Sequence, residues 1–330
     1  ICTLSDKCST RYAKSISNPI YNHTMKNLLL IIIAVLTVVT SQAQKHRLAL
    51  KLEKGSTYTQ KMTANTSMNQ TIEGRQLDTK IQITGMMAYT VTDIQNEMYE
   101  MEVSYKNLGL SMSLPSGTQQ WNSDNKDESD IMSTILGSMI DQPFGIKLTT
   151  SGRVIEVKNI EALFGHLFDK FPQLTQAQQE QLKAQLMKSY GEKAIKGNLE
   201  MCLAIFPDVP VAQGDTWKVN TRLESTMDAR ISTTYTFSDI QKSFYTIRGI
   251  SDMKTVDSDT YFETNGMSIK YDLAGSMISE IKVNPQTGWV NESAVEQKMS
   301  GTAYILDSPK MPGGLEMPMS FTTTIAVTGK

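Results

Sequence analysis

Tyr89 to Met101 reads Y-T-V-T-D-I-Q-N-E-M-Y-E-M, and Tyr235 to Ile247 reads Y-T-F-S-D-I-Q-K-S-F-Y-T-I. Six of these thirteen positions are identical. Around the first copy, Ile81, Ile83, Met87, Tyr89 and Val91 alternate with Lys80, Gln82, Thr84, Thr90 and Thr92. Beyond a break at Asp93 to Glu97, Tyr99, Met101, Val103 and Tyr105 alternate with Glu100, Glu102, Ser104 and Lys106. Period two means strand, with one face buried and one wet. The break predicts a five-residue hairpin loop seeded by Asp93, whose side chain bonds the backbone two residues on. The second copy repeats the scheme with Ile231, Tyr235 and Phe237, a loop from Asp239, then Tyr245 and Ile247. The shared Asp-Ile-Gln triplet reads as a turn former, not as a chemical site.

Two further blocks repeat in the same order. Gly55-Ser56-Thr57-Tyr58 matches Gly214-Asp215-Thr216-Trp217, and Gly137-Ser138-Met139-Ile140 matches Gly275-Ser276-Met277-Ile278. The latter blocks lead to hairpins whose turns carry Gly152 and Gly288, glycines suited to positive φ. Matches in register order predict an internal duplication.

The chain starts with Ile1, and Met25 is the better start. Lys26, the apolar run Leu28 to Val39 and the small-residue site Ser41-Gln42-Ala43 read as a secretory signal peptide over 25–43. The run is too short for a membrane span, which needs about 20 apolar residues. Residues 1–24 read as upstream sequence outside the fold, and the mature chain begins at Gln44, with no transmembrane segment. No cysteine stands at the cleavage site, so a lipid anchor is not indicated. Cys2 and Cys8 precede the leader, which leaves Cys202 alone and the fold dependent on its core rather than on disulfides. A formal charge of −2 without a basic stripe gives no footprint for nucleic acid.

In chain order, Leu48 to Leu52 alternates and reads as the first strand, and Tyr58 to Ile72 as a long strand carrying Met62 and Met68. Pro115 to Asp130 reads as an exposed loop; its Asp124, Asp127, Glu128 and Asp130 lack the Gly and terminal Glu of a calcium loop. Ile131 to Ile140 reads as a short helix. Asn159 caps a predicted helix with the stripe Ile160, Leu163, Phe164, Leu167 and Phe168, ending before Pro172. Thr175 with Gln178 makes a capping box for a second helix. A third carries Ile195, Leu199, Cys202, Leu203 and Phe206 on one face and stops at Pro207. On that stripe Cys202 reads as an inert core thiol. His166 flanks the first stripe without a second ligand at helical spacing, and Asn265-Gly266 marks a turn. Met311, Met317 and Met319 read as adaptable packing rather than a Cu(I) site.

No Gly-x-Ser-x-Gly, His-Glu-x-x-His, P-loop, Gly-x-Gly-x-x-Gly or Cys-x-x-Cys motif is present. The leader, Phe206-Pro207-Asp208-x-Pro210-Val211-x-x-Gly214-Asp215-Thr216-Trp217 and the Gly-x-Val hairpins resemble an uncharacterised family of exported proteins, mainly of Bacteroidota. That resemblance covers most of the mature chain and implies export and a duplicated β fold, but no activity and no functional residues. A looser analogy is to periplasmic lipoprotein carriers, in which a curved sheet closes over helices around an apolar cavity.

The expected fold is α+β: two related, curved antiparallel β-sheets, 44–158 and 207–330, joined by a helical connector, 159–206, that packs on their apolar faces. The expected function is an exported, non-catalytic binding module for an apolar or lipid-like ligand or an envelope component. Two other readings stand: a structural or interaction protein of the envelope without a cavity, and a hydrolase working through carboxylates. A cavity separates the first two, and buried carboxylates of raised pKa would mark the third. The expected lining is Leu163, Phe164, Leu167 and Phe168 with Tyr89, Tyr99, Tyr235 and Tyr245. No residue is nominated as catalytic and no cofactor is called for. Cleavage after Ala43 would expose Gln44-Lys45-His46, whose amine, two amides and imidazole suit square-planar Cu(II) or Ni(II).

Overall fold

The first half of the chain forms β1 (Thr57–Ile72), β2 (Arg75–Gln95), β3 (Met98–Leu114), β4 (Gly117–Asn122), α1 (Ile131–Ser138), β5 (Phe144–Thr149) and β6 (Val154–Lys158). Two 3-10 turns, Ile160–Phe164 and Phe168–Lys170, lead to α2 (Gln176–Tyr190) and α3 (Glu192–Leu203). The second half forms β7 (Thr216–Glu224), β8 (Asp228–Ile240), β9 (Tyr245–Thr255), β10 (Phe262–Thr264), β11 (Met267–Val283), β12 (Val290–Ile305) and β13 (Leu315–Gly329). This computed structural model describes residues 44–330 except Glu128, His166, Ser225, Thr226, 257–260, Asn265 and Gly266. The leader, His166 and the Asn265-Gly266 turn therefore lie outside the described residues.

Among the described residues all thirteen strands belong to one sheet, ordered β6-β5-β3-β2-β1-β13-β12-β11-β9-β8-β7, with β4 on β3 and β10 on β11. This corrects the expectation of two sheets. The reason is β13, which lies outside the repeated blocks. It pairs with β1 from Gln60↔Gly329 to Gln70↔Met319, and with β12 from Glu292↔Thr328 to Ile305↔Leu315. Without it β1 and β12 would present open edges, which invite pairing with other chains. Its own alternation, with Thr323, Ile325 and Val327 more buried than the exposed Thr322, Thr324, Ala326 and Thr328, fits it between them.

The two arms share local geometry. Tyr58 faces Tyr89 across β1 and β2, and Trp217 faces Tyr235 across β7 and β8. Register slips between Val91 and Asp93 in one arm and between Phe237 and Asp239 in the other. At each slip the glutamine two residues on donates to the aspartate, Gln95 to Asp93 at 2.6 Å and Gln241 to Asp239 at 2.9 Å. The Asp-Ile-Gln triplet is thus a bulge clasp. The first hairpin is tighter than expected: strand continues to Gln95, and Asn96 and Glu97 alone turn the chain at φ 51° and 59°. A second slip falls between Lys147 and Leu148, and between Lys282 and Val283. The following turns carry Gly152 at φ 86° and Gly288 at φ 70°. A Cβ on Gly152 would lie 1.8 Å from the Leu203 carbonyl oxygen, and one on Gly288 2.2 Å from that of Ala49.

Three local readings are corrected. Leu48, Leu50 and Leu52 are buried, but their segment is no strand. It threads the core, with Leu50 N–H donating to Thr150 O and Lys51 N–H to Thr287 O, both at 2.8 Å. The stretch Pro115 to Asp130 is not all loop, since Gly117–Asn122 returns as β4. Asn159 caps nothing: it sits in the left-handed region at φ 56°, and its stripe lies on the two 3-10 turns rather than one α-helix. The Thr175–Gln178 capping box is present, and α1 forms where expected.

Helix α3 occupies the gap between the ends of the sheet. It packs against both β6 and β7, the two terminal strands. Gly197 permits this, because a Cβ there would lie 2.7 Å from Arg222 O on β7. On the other side Glu200 accepts the Val154 N–H of β6 at 3.1 Å. Arg153 Nη1 then crosses to Asn220 O on β7 at 2.6 Å. Both edges are covered without direct pairing between β6 and β7, an answer to the exposed-edge problem.

Candidate ligand-binding face

The side chains nominated from sequence do come together. Leu163, Phe164, Leu167, Tyr89, Tyr99 and Tyr235 are buried in one cluster, and Phe168 and Tyr245 pack against it. They meet there as packed core. Tyr89 donates to Gln60 Oε1 at 3.3 Å and meets Trp289 edge-on at 5.2 Å between ring centroids. The Tyr99 hydroxyl donates to Leu50 O at 2.9 Å and accepts from Leu52 N–H at 3.2 Å. Tyr235 lies over Gly249, where a Cβ would come within 2.8 Å of its ring. Tyr245 stands edge-on to Phe237 at 5.5 Å. None of these residues lines the clefts of about 580 and 630 Å³, which open on the other face.

The face that carries this core continues along the long strands as a half-buried apolar surface. Register places Met68 beside Phe321 and Thr79, and Ile81 beside Met112. On the far arm, Met253, Met277 and Met299 form a second buried cluster, with Met319, Phe321 and Tyr271 packed against it in partial exposure. Ile83, on the same face, is 43% exposed. Met62 and Met68, on the long strand expected from Tyr58 to Ile72, are not among the residues nominated by number as the lining. Their period-two spacing was the available signal, but which partners they faced depends on β13.

The opposite face is polar. Lys61, Asn65, Ser67 and Asn69 on β1 are exposed, as are Lys298, Ser300 and Thr322 on β12 and β13. Ile250 and Ile278 are apolar exceptions there, at 68% and 54% exposure. A membrane-spanning barrel needs the reverse, apolar outward and polar inward. No helix among the described residues is long and apolar enough to cross a membrane.

Cys202 departs from its expected place. It keeps solvent-accessible surface, yet surrounding protein desolvates the thiol and pushes its pKa up to about 11. The thiol lies close enough to Tyr89 and Tyr235 to help raise their pKa values, after burial, the main cause. Cys202 thus keeps accessible surface beside two tyrosines of the packed core.

His46 is held by the fold. Its N–H donates to Val211 O at 2.7 Å, and its ring stands edge-on to Tyr245 at 5.4 Å, with Nδ1 3.3 Å from the Tyr245 hydroxyl. A square-planar site would have to release both that amide and that nitrogen. Among the described residues no cluster of three His, Cys, Asp or Glu side chains is placed to hold a metal. The acidic residues after β4 serve as turn acceptors: Asp127 takes Ser129 Oγ–H at 2.6 Å, and Asp130 caps α1 through Ser133 N–H. These hydrogen bonds hold both carboxyls below the usual range. Asp93 is lowered to about 2 by hydrogen bonds from Lys54 and Gln95.

Residues 96–290 match the profile of a family of unknown function (DUF6263). No curated protein matches the chain. Among solved structures, lipovitellin, described for its lipid–protein interactions, aligns over 85% of this chain and 25% of its own, at 8% identity and a TM-score of 0.45. The chain thus spans about a quarter of that protein's length. An outer membrane channel from Pseudomonas putida F1 aligns over 86% and 98%, at 7% identity and a TM-score of 0.27. The outer membrane protein OprG from Pseudomonas aeruginosa aligns over 84% and 96%, at 8% identity and 0.24. Likenesses this distant carry no function across.

Proposed function

Because the chain belongs to this family of unknown function, its role has to be argued from its own geometry, and we propose an exported, non-catalytic module that binds an apolar or lipid-like ligand. The carrying observation is the half-buried apolar surface around Met68, Ile81, Met112, Met319 and Phe321. Methionine surfaces re-pack around variable apolar shapes. An apolar area left half open on the core-bearing face is a surface that a ligand would stabilise by covering. Cys202, which keeps accessible surface beside Tyr89 and Tyr235, supports reading the core-bearing face as incompletely covered. The leader at 25–43 supports export to the periplasm or beyond. The shared bulges, clasps and glycine turns support reading the arms as duplicated copies.

The structural reading draws on a different observation, the close packing of the nominated tyrosines and helix side chains. The hydrolase reading needs a carboxyl of raised pKa, and Asp93, Asp127 and Asp130 are shifted the other way. A fluorescent fatty acid titrated into the purified protein separates the readings. Saturable binding is expected, weakened about tenfold or more by Met68→Lys or Phe321→Lys, since each removes an apolar contact worth roughly 1.5–3 kcal/mol. Those side chains are partly exposed, so the variants should fold. Absence of saturable binding by the wild type would leave the structural reading standing.

A further inference from the structure

On the outer face of β7, β8 and β9 stands a row of cations. Arg222, Arg230 and Lys254 are successive cross-strand partners. All three line the cleft of about 630 Å³ beside α3. Like charges directly opposite on neighbouring strands oppose folding. Arg222 is neutralised, its Nε donating to Asp228 Oδ1 at 2.8 Å and its Nη2 to Oδ2. Among the described residues, the side chains of Arg230 and Lys254 have neither a hydrogen bond nor an ion pair, their ladder bonds being backbone only. Two carboxylates share the cleft. Glu200 is already occupied by the Val154 N–H. Asp252 lies two residues along β9, opposite Ser232, so with Glu200 it balances the two free cations in net charge while pairing with neither. Ser232 and Asn220, partners of each other across β7 and β8, supply neutral donors.

We propose that this cleft binds a phosphate-type oxyanion through Arg230 and Lys254, with Ser232 and Asn220 as neutral donors. Cross-strand Cβ atoms stand about 5 Å apart, a spacing at which two side chains reach different oxygens of one tetrahedral group. The guanidinium offers a planar fork to two oxygens, and the ammonium a point charge to a third. An anion between them turns a repulsive pair into an attractive triad. Free phosphate and a phosphate-bearing lipid headgroup both carry this chemistry. The site is independent of the apolar face.

The test compares melting temperatures in inorganic phosphate and in chloride at equal ionic strength. The proteins are wild type, Arg230→Gln, Lys254→Gln and a control, Lys61→Gln, on the same face of β1. Phosphate should raise the melting temperature of wild type and Lys61→Gln only. In chloride, Arg230→Gln should melt above wild type, because the repulsion is gone. Titration should show phosphate affinity reduced about tenfold or more in either cleft variant. Flotation with phosphatidylglycerol vesicles, against phosphatidylcholine, locates the source. Phosphatidylglycerol-dependent flotation lost in Arg230→Gln assigns a headgroup, and phosphate binding without flotation assigns a soluble phosphate. Equal phosphate shifts in all four proteins, or neither a shift nor Arg230-dependent flotation, would overturn the proposal.

Discussion

Replacing Tyr99 with Phe removes one oxygen and leaves two buried backbone groups alone. The hydroxyl donates to Leu50 O at 2.9 Å and accepts from Leu52 N–H at 3.2 Å. Leu50 and Leu52 are 2% and 5% exposed, and Tyr99 is 5% exposed, so water does not readily replace it. An unsatisfied buried group costs about 1–3 kcal/mol. Two such groups, partly relaxed, predict a loss of about 3 kcal/mol, a large share of the roughly 5–15 kcal/mol typical of a domain. Urea unfolding measures it from the midpoint and slope. Tyr245→Phe is the control: its hydroxyl makes one long contact, 3.3 Å from His46 Nδ1, and should cost less than about 1 kcal/mol. Hydrogen exchange at the Leu52 amide should accelerate in Tyr99→Phe only. A Tyr99→Phe loss no larger than that of Tyr245→Phe would refute the claim that this hydroxyl ties the threaded segment to the sheet.

Gly152→Ala and Gly288→Ala should each destabilise by more than about 2 kcal/mol, since strained φ is compounded by backbone collision. Gly214→Ala, at φ 92° with open space around its Cβ, should cost only about 1 kcal/mol; equal losses in thermal melts would discredit the contact argument. Burial pushes Tyr105 and Tyr235 up to about 12. An unfolded tyrosine releases its proton near pH 10, so their contribution is whole below about 10 and is lost as pH rises towards 12, by up to about 1.4 kcal/mol per unit per tyrosine. Urea midpoints from pH 9 upward would show it, and native ionisation of both near 10 would contradict it. Cys202, raised to about 11, should react with a small maleimide at pH 8 about two orders of magnitude more slowly than a free cysteine, and about tenfold faster per added pH unit. A rate at pH 8 equal to that of a free thiol would deny the desolvation.

Local features were legible in the sequence because local physics decides them. The paired hairpins follow from alternation, the α2 start from Thr175 and Gln178, and the tight glycines from their turns. The single sheet was not legible, because β13 resembles neither repeated block and its pairing with β1 is a tertiary choice. Leu48 to Leu52 alternates like a strand, yet its hydrogen bonds go to two turns and a tyrosine hydroxyl, and no period records that. The stripe from Ile160 to Phe168 is apolar at helical spacing, but Asn159 enters it in the left-handed region and the segment stays in 3-10 turns. As for the site, alternation places Tyr89 and Tyr235 inward without saying whether an inward face meets protein or space. Cys202 shows the same ambiguity, since its stripe is right and its neighbourhood is partly open.

The placement of β13 also sets an order of events for a chain leaving a ribosome or a translocon. Every other strand precedes β13 in the chain, yet β13 sits in the middle of the sheet. Its Thr323 hydroxyl meets that of Thr66 at 2.8 Å across a sequence separation of 257 residues. Closing so long a loop is entropically slow, and topologies rich in such pairings fold slowly. Until β13 arrives, the nascent arms hold β1 and β12 with open edges, the species most exposed to misassembly. Mutations that weaken β13 should therefore reduce soluble yield more than their equilibrium stability suggests, and a chaperone that shields strand edges should recover that yield.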